Sequence, residues 1–177
     1  MSKNEKTKKL CLIAMLIAIT ALLSYISGFL RIGNAVKISV TFISIYMAAV
    51  FYGPLAGGFV AAVGDVLSHF INPVGMFLPG LTIIEFLSGL TFGLFKRNGK
   101  EIKNTKTKIA ICVMINFLLN LFPKTYVLMT AGYVPSDYSV ALLSRLLSSG
   151  VMLLIQAIML YVFETIYTDK FFNLNTK

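Results

Sequence analysis

The chain has 177 residues, of which 57% are hydrophobic and only 13% charged, and its mean hydropathy is +0.82. Soluble domains average about 25% charged residues, so this composition indicates a polytopic membrane protein. It excludes a large extramembrane domain or a nucleotide-binding domain, because spans of about 20 residues each would use most of the chain. The net charge of +9 can be interpreted only once the basic residues are placed.

Six apolar runs predict an all-α membrane protein, with six transmembrane helices in one domain that covers residues 1–177. Helices are favoured because each one satisfies its own backbone hydrogen bonds in lipid. The break at Gly53-Pro54 separates the second run from the third, and residues 72–75 separate the third from the fourth. The predicted spans are 10–30, 36–52, 55–71, 76–95, 109–131 and 140–167.

The basic residues are concentrated in the N-terminal tail and in the segment 96–108. With six spans, both segments and the C-terminus lie on one side of the membrane, and the opposite connections hold little beyond Arg31, Lys37 and Asp137. The positive-inside rule then places both termini in the cytoplasm. Topology and contact with anionic membrane lipid account for the charge, so no nucleic-acid partner is expected.

Several polar side chains fall inside the predicted spans, where they are costly and are functional candidates by default. In the predicted topology most of them lie in the outer half of the membrane. This distribution favours a binding cavity open to the outside over a proton pathway across the bilayer. The residues are Asp65, His69, Glu85, Asn116, Asn120, Lys124, Arg145 and Gln156.

Alternative roles are open for the charged candidates. Asp65 and His69 are four residues apart on one helical face, so they either bond each other or contact a ligand. Lys124 and Arg145 either face the cavity or extend to the outer surface. Glu85 can pair with Lys124, with His69 or with a cationic group on a ligand.

The neutral candidates Asn116 and Gln156 are better interpreted as hydrogen-bonding groups between helices. On the first span, Ala14 and Ala18 form a small-xxx-small pattern, and Ala21 extends it. Such a face allows another helix to approach closely, whether from a partner or from the same chain.

The middle of the chain resembles the substrate-binding S components of energy-coupling-factor (ECF) vitamin importers, most closely their folate-type branch. The resemblance covers roughly residues 10–165. It rests on residues 31–33, 53–58, 64–65, 73–75, 77–82 and 87–93.

This resemblance implies a multi-pass protein of the prokaryotic cell membrane that binds a vitamin in an outward-facing cavity. It implies no enzymatic activity and no cofactor or metal. Family members dock through an alanine-xxx-alanine face on the first helix, matched here by Ala14 and Ala18. Their partners are a transmembrane coupling subunit and two ATP-binding cassette ATPases, which hydrolyse the ATP. The loop after the first helix, residues 27–37, would close over the ligand.

The resemblance assigns ligand contact first to Arg31 and Asp65, whose guanidinium and carboxylate groups suit a folate-like vitamin. The chain departs from the family at His69, at Glu85 and at Pro123-Lys124, where a tryptophan is common. These departures leave a different flat, polar vitamin or precursor open as an alternative to folate. The complete set of predicted ligand-binding residues is Arg31, Lys37, Asp65, His69, Thr82, Glu85, Asn120, Lys124 and Arg145.

Aromatic surface for a flat ring is expected from Phe122, Tyr126 or Tyr133. Two other classes of function are weaker alternatives. An intramembrane enzyme would use Asp65, His69 and Glu85, but no catalytic motif accompanies them. A stand-alone secondary transporter would be expected to show paired broken helices or inverted repeats, and neither is evident.

Overall fold

The computed structural model describes residues 3–29, 31–32, 36–37, 39–71, 73, 76–95, 105–134 and 137–175. Within these residues the chain forms six α-helices, as the six apolar runs predicted. A two-stranded antiparallel ribbon follows the first helix, and a 3-10 turn, Phe92–Phe95, extends the fourth. The elements are α1 (Lys3–Phe29), β1 (Arg31–Ile32), β2 (Val36–Lys37), α2 (Phe42–Tyr52), α3 (Pro54–Ile71), α4 (Pro79–Thr91), α5 (Thr105–Thr130) and α6 (Tyr138–Asn175).

Four of these helices, α1, α3, α5 and α6, contain stretches long and apolar enough to cross a membrane. The helices α2 and α4 have 11 and 13 residues, which corresponds to about 16 and 20 Å. The helix in the second predicted span, 36–52, begins only at Phe42, because the first residues of that span form β2. Both short helices fall below the roughly 30 Å of a hydrocarbon core.

The predicted break at Gly53-Pro54 is confirmed. Gly53 has φ 99°, a backbone conformation that glycine adopts without the penalty of a side chain. Pro54 then occupies the first position of α3, where a missing N–H costs nothing. The chain therefore turns from α2 into α3 within one residue, and both helices can contribute to the same wall of the protein.

The helices α3 and α4 approach each other until their backbones touch. A Cβ atom built on Gly89 would lie 2.5 Å from the carbonyl oxygen of Gly57, and one on Gly57 would lie 2.8 Å from that of Gly89. Only glycine fits at both positions. This contact sets the spacing between Asp65 on α3 and the pair Thr82 and Glu85 on α4.

A buried core occupies the part of the bundle beneath the site described below. Tyr46 of α2 packs edge-on against Phe92, and its hydroxyl donates a hydrogen bond to the buried carboxylate of Glu164 on α6. Val60 and Leu160 are fully buried in the same cluster. Helices distant in sequence are thus joined below the cavity, leaving its polar walls to be built above.

Candidate functional site

A cavity of about 850 Å³ lies among the helices. Most of its helical lining residues come from the C-terminal halves of α1, α3 and α5 and from the N-terminal halves of α2, α4 and α6. The cavity is therefore at one end of the bundle, opposite the starts of α1 and α5, next to which the lysine-rich segments lie. A cavity of this size suits a ligand of drug-like dimensions.

The structure brings most of the predicted ligand-binding residues together in this cavity. The side chain of Thr82 lies behind the wall, where its hydroxyl donates a 2.8 Å hydrogen bond to the Asp65 carboxylate. Arg31 and Lys37 are paired across the two-stranded ribbon, but their side chains lie outside the described residues. The predicted residues that line the cavity are Asp65, His69, Glu85, Asn120, Lys124 and Arg145.

An ion pair joins α4 to α5 within the cavity wall. The Nζ atom of Lys124 lies 2.6 Å from Oε1 of Glu85 and 3.3 Å from Oδ1 of Asn120. The lysine and glutamate side chains are 23% and 27% exposed. One of the pairings predicted for Glu85 is thus present. Pro123 lies inside a continuous helix, and Lys124 faces the cavity.

Asp65 and His69 lie on the same face of α3 but do not bond each other among the described side chains. Asp65 accepts instead from Thr82 of the neighbouring helix. The His69 imidazole packs at a ring-centroid distance of 5.4 Å from Phe77. The alternative in which these two residues only pair with each other is therefore not the arrangement found, and both side chains border the cavity.

Arg145 lies in the second turn of α6 and lines the cavity. Its Nη1 atom is buried and has no hydrogen-bond partner among the residues that the structure describes. This nitrogen does not extend to the surface, as the alternative interpretation of Arg145 required. A guanidinium is always charged. Arg145 as a whole is only partly buried, and its buried Nη1 atom is available to a hydrogen-bond acceptor.

Asn116 forms the hydrogen bonds between helices that the sequence predicted for it. Its side chain is only 1% exposed. The amide nitrogen donates to Thr91 Oγ1 at 2.6 Å and to the Cys112 carbonyl at 3.0 Å, and the amide oxygen accepts from the Ser88 hydroxyl. These bonds tie α4 to α5 at the floor of the cavity. With its amide saturated, Asn116 has a structural role.

The aromatic residues of the cavity differ from those expected. Phe122 and Tyr126 are exposed on the outside of α5, and only Tyr133 of the expected three lines the cavity. Tyr133 is positioned by the end of α5: Gly132 has φ 76°, and its N–H and that of Tyr133 bond back to earlier carbonyls of the helix. Aromatic lining residues that the sequence did not identify are Tyr25, Phe42, Phe77, Phe92 and Phe117.

Polar stripes at helical spacing could have revealed further lining residues. On α6, Ser148 and Ser149 follow Arg145 by three and four positions and share its face. On α3, Ser68 falls between Asp65 and His69. All three serines border the cavity. Each could have been predicted from its sequence spacing to a charged residue that was already a candidate.

The alanines of α1 separate into two groups. Ala14 and Ala18 are exposed, whereas Ala21 is 3% exposed and packs inside the protein. Internal packing therefore accounts for Ala21 but not for the other two. Cys11 is also exposed and lies on the same face of the helix as Ala14 and Ala18. This surface is open to another helix.

A family model described as the ECF-type riboflavin transporter, S component, matches residues 4–170. The chain belongs to this S-component family. It is thus a member of a class of transport proteins and not of an enzyme class, and the resemblance noted in the sequence is confirmed.

Relatives of this S component are found among folate transporters. The folate transporter FolT of Clostridium novyi (strain NT) is 31% identical over 150 residues, 85% of this chain and 81% of the relative. The FolT of Leuconostoc mesenteroides subsp. mesenteroides is 34% identical over 89 residues, 50% of this chain and 46% of the relative. A crystal structure of FolT bound with folic acid matches with a TM-score of 0.75 at 26% identity, covering 90% of this chain and 93% of that one.

Proposed function

We propose that this S component binds folate, or a closely related flat and polar vitamin, in the cavity described above. The observation that carries the proposal is the convergence of predicted polar side chains from α3, α4, α5 and α6 on one cavity of about 850 Å³. The likeness to folate-transporting relatives and to a folate-bound FolT structure supports the choice of vitamin.

In this proposal the ligand contacts are divided by chemistry. Asp65, held by Thr82, accepts hydrogen bonds from the donors of a ring, and Arg145 is available to an anionic group. Aromatic side chains such as Phe77 and Phe117 offer flat apolar surface. Closure of residues 27–37 over the cavity would exclude water, which strengthens every polar contact inside. The remaining ligand-binding residues in the proposal are Arg31, Lys37, His69, Glu85, Asn120 and Lys124.

The proposed S component does not hydrolyse ATP. It docks through Ala14 and Ala18 onto a transmembrane coupling subunit, which carries two ATP-binding cassette ATPases. The exposure of both alanines supports this role, because small residues on a lipid-facing surface let a second helix approach closely. Binding and energy supply are thereby assigned to separate chains.

The proposed topology has six passes through a prokaryotic cell membrane, one domain over residues 1–177 and both termini in the cytoplasm. The lysine-rich segments support this orientation. The shorter helices α2 and α4 would cross together with the segments beside them. The cavity then opens outward, where a nutrient is first met.

Purified protein in detergent provides the test. Folic acid is titrated first and a panel of other vitamins afterwards, and any small molecule that co-purifies is identified by mass. Saturable high-affinity binding of folic acid is the expected result. Absence of tight binding by every vitamin in the panel would refute a vitamin-capture role altogether.

Riboflavin is the second candidate, because the matching family model is described as a riboflavin transporter S component. Riboflavin is neutral, whereas folate carries carboxylates. The buried Nη1 atom of Arg145, which has no hydrogen-bond partner among the described residues, favours the anionic ligand. The same titration separates the two, since a site built for riboflavin would bind it much more tightly than folic acid.

A further inference from the structure

The charged side chains of the cavity differ in whether they have a hydrogen-bond or ion-pair partner. The described lining includes the acids Asp65 and Glu85, the bases Lys124 and Arg145, and the imidazole of His69. Asp65 accepts from Thr82, and Glu85 is paired with Lys124 at 2.6 Å. Among the described side chains, only the guanidinium of Arg145 has a buried charged nitrogen without a hydrogen-bond acceptor.

We propose that, of the two described basic side chains Lys124 and Arg145, it is Arg145 that binds the anionic group of the ligand, while the Glu85–Lys124 pair stays closed and contacts the neutral part. The inference rests on the proposed function and deepens it, because it assigns an orientation to the ligand in the cavity. The carboxylate end lies against α6, and the ring lies toward α3 and α4.

Lys124 is a poor anion site for two reasons. To reach a carboxylate it would have to leave Glu85 and Asn120, which it contacts at 2.6 and 3.3 Å. A ligand anion bound near Lys124 would then lie close to the carboxylate of Glu85, which would have lost its partner. Like charges at close range repel strongly in a poorly solvated site. The closed pair has no net charge and is suited to a neutral polar group.

Arg145 has the opposite properties. Its guanidinium presents a planar fork of donors that matches a carboxylate through two parallel hydrogen bonds. No ion pair among the described side chains has to break before the ligand arrives. Ser149 of the same helix lines the cavity four residues further on and can add a hydroxyl donor.

The test compares two ligands that share a pterin ring. Folic acid carries carboxylates, and 6-hydroxymethylpterin carries none. Their dissociation constants are measured with wild type, with Arg145→Gln and with Lys124→Gln, in detergent, by pterin fluorescence. Lys106→Gln, at the exposed start of α5, is the control for loss of a positive charge.

Arg145→Gln is expected to weaken folic acid binding by about 10- to 100-fold. It should leave 6-hydroxymethylpterin binding within about threefold of wild type. Lys124→Gln should weaken both ligands by a similar factor, because it exposes Glu85 to each of them. Equal losses of both ligands in Arg145→Gln, or a selective loss of folic acid in Lys124→Gln, would overturn the proposal.

Stability supplies an independent readout. Without ligand, Arg145→Gln should unfold at a temperature no lower than wild type, because it removes a buried Nη1 donor that has no acceptor among the described residues. Should it unfold lower, the guanidinium has a structural partner and the proposal fails. Arg145→Lys keeps the charge but loses the planar fork, so it should show a selective but smaller loss of folic acid. If wild type does not bind folic acid, the assignment of folate as the ligand fails, and this proposal fails with it.

Discussion

Replacing Gly89 with alanine tests how the contact between α3 and α4 holds the cavity in shape. The new Cβ would lie 2.5 Å from the Gly57 carbonyl oxygen and 2.8 Å from the Gly58 Cα. An ordinary contact is about 3.5 Å, so the helices must separate by about 1 Å. Overpacking costs about 1–3 kcal/mol, and backbone atoms that cannot rotate away place this case near 3 kcal/mol. Alanine recovers about 1 kcal/mol as a better helix former.

The net loss of about 2 kcal/mol corresponds to a melting temperature lower by about 4–8 °C for a chain of this length. The same separation would stretch the 2.8 Å hydrogen bond between Thr82 and Asp65 beyond its useful range. Folic acid affinity should then fall by about tenfold. Thermal unfolding in detergent and ligand titration on the same preparation measure both effects.

Gly150→Ala is the matched control, because a Cβ at Gly150 on α6 meets nothing within 4 Å. Its melting temperature should stay unchanged or rise by about 2–4 °C through the helix preference alone. A Gly89→Ala protein that melts and binds like wild type would refute the reasoning. So would a Gly150→Ala protein that is destabilised as much as Gly89→Ala.

Three further predictions concern docking and the ion pair. Ala18→Leu should abolish co-purification with the coupling subunit and leave folic acid binding intact, and equal loss of binding and assembly would contradict this. Ala21→Leu should instead lower the melting temperature, because Ala21 is buried. Cys11 is exposed on the proposed docking face, so maleimide labelling should be fast in the free protein and slow in the complex, and equal rates would place docking elsewhere. Lys124→Met should destabilise the protein by about 1–3 kcal/mol, an amount discounted for the partial exposure of the pair. Adding Glu85→Met should restore most of this lost stability. A double variant no more stable than Lys124→Met would show that the two charges are not coupled.

The charged residues that line the cavity could be selected from the sequence, because ionisable residues are rare in membrane spans and usually face a cavity or a partner. Glu85 and Lys124 were predicted as a possible pair from depth alone, and they form one. The turn at Gly53-Pro54 was equally predictable, since these two residue types end one helix and begin the next. In both cases the residue types themselves carried the prediction: opposite charges inside apolar spans, and a Gly-Pro pair between two helices.

Other features could not be predicted, because an apolar helix carries little signal of its own rotation. Phe122 and Phe117 are both aromatic residues of α5, yet only Phe117 faces the cavity. In lipid both faces of a helix are apolar, so the pattern that separates inside from outside in soluble proteins is weak. The start of α2 at Phe42 was missed for a similar reason, since apolar residues between β2 and Phe42 extend the hydrophobic run ahead of the helix.

Asn116 and Arg145 show two different uses of a polar side chain in this bundle, one for stability and one for ligand binding. Asn116, at the floor, has its amide satisfied by Thr91, Cys112 and Ser88, so it rigidifies the contact between α4 and α5. Arg145, higher in the same cavity, is left with a buried unpaired nitrogen, which costs stability. A ligand anion that pairs with Arg145 would supply the acceptor that this nitrogen lacks, so a group that lowers stability without ligand becomes a source of affinity.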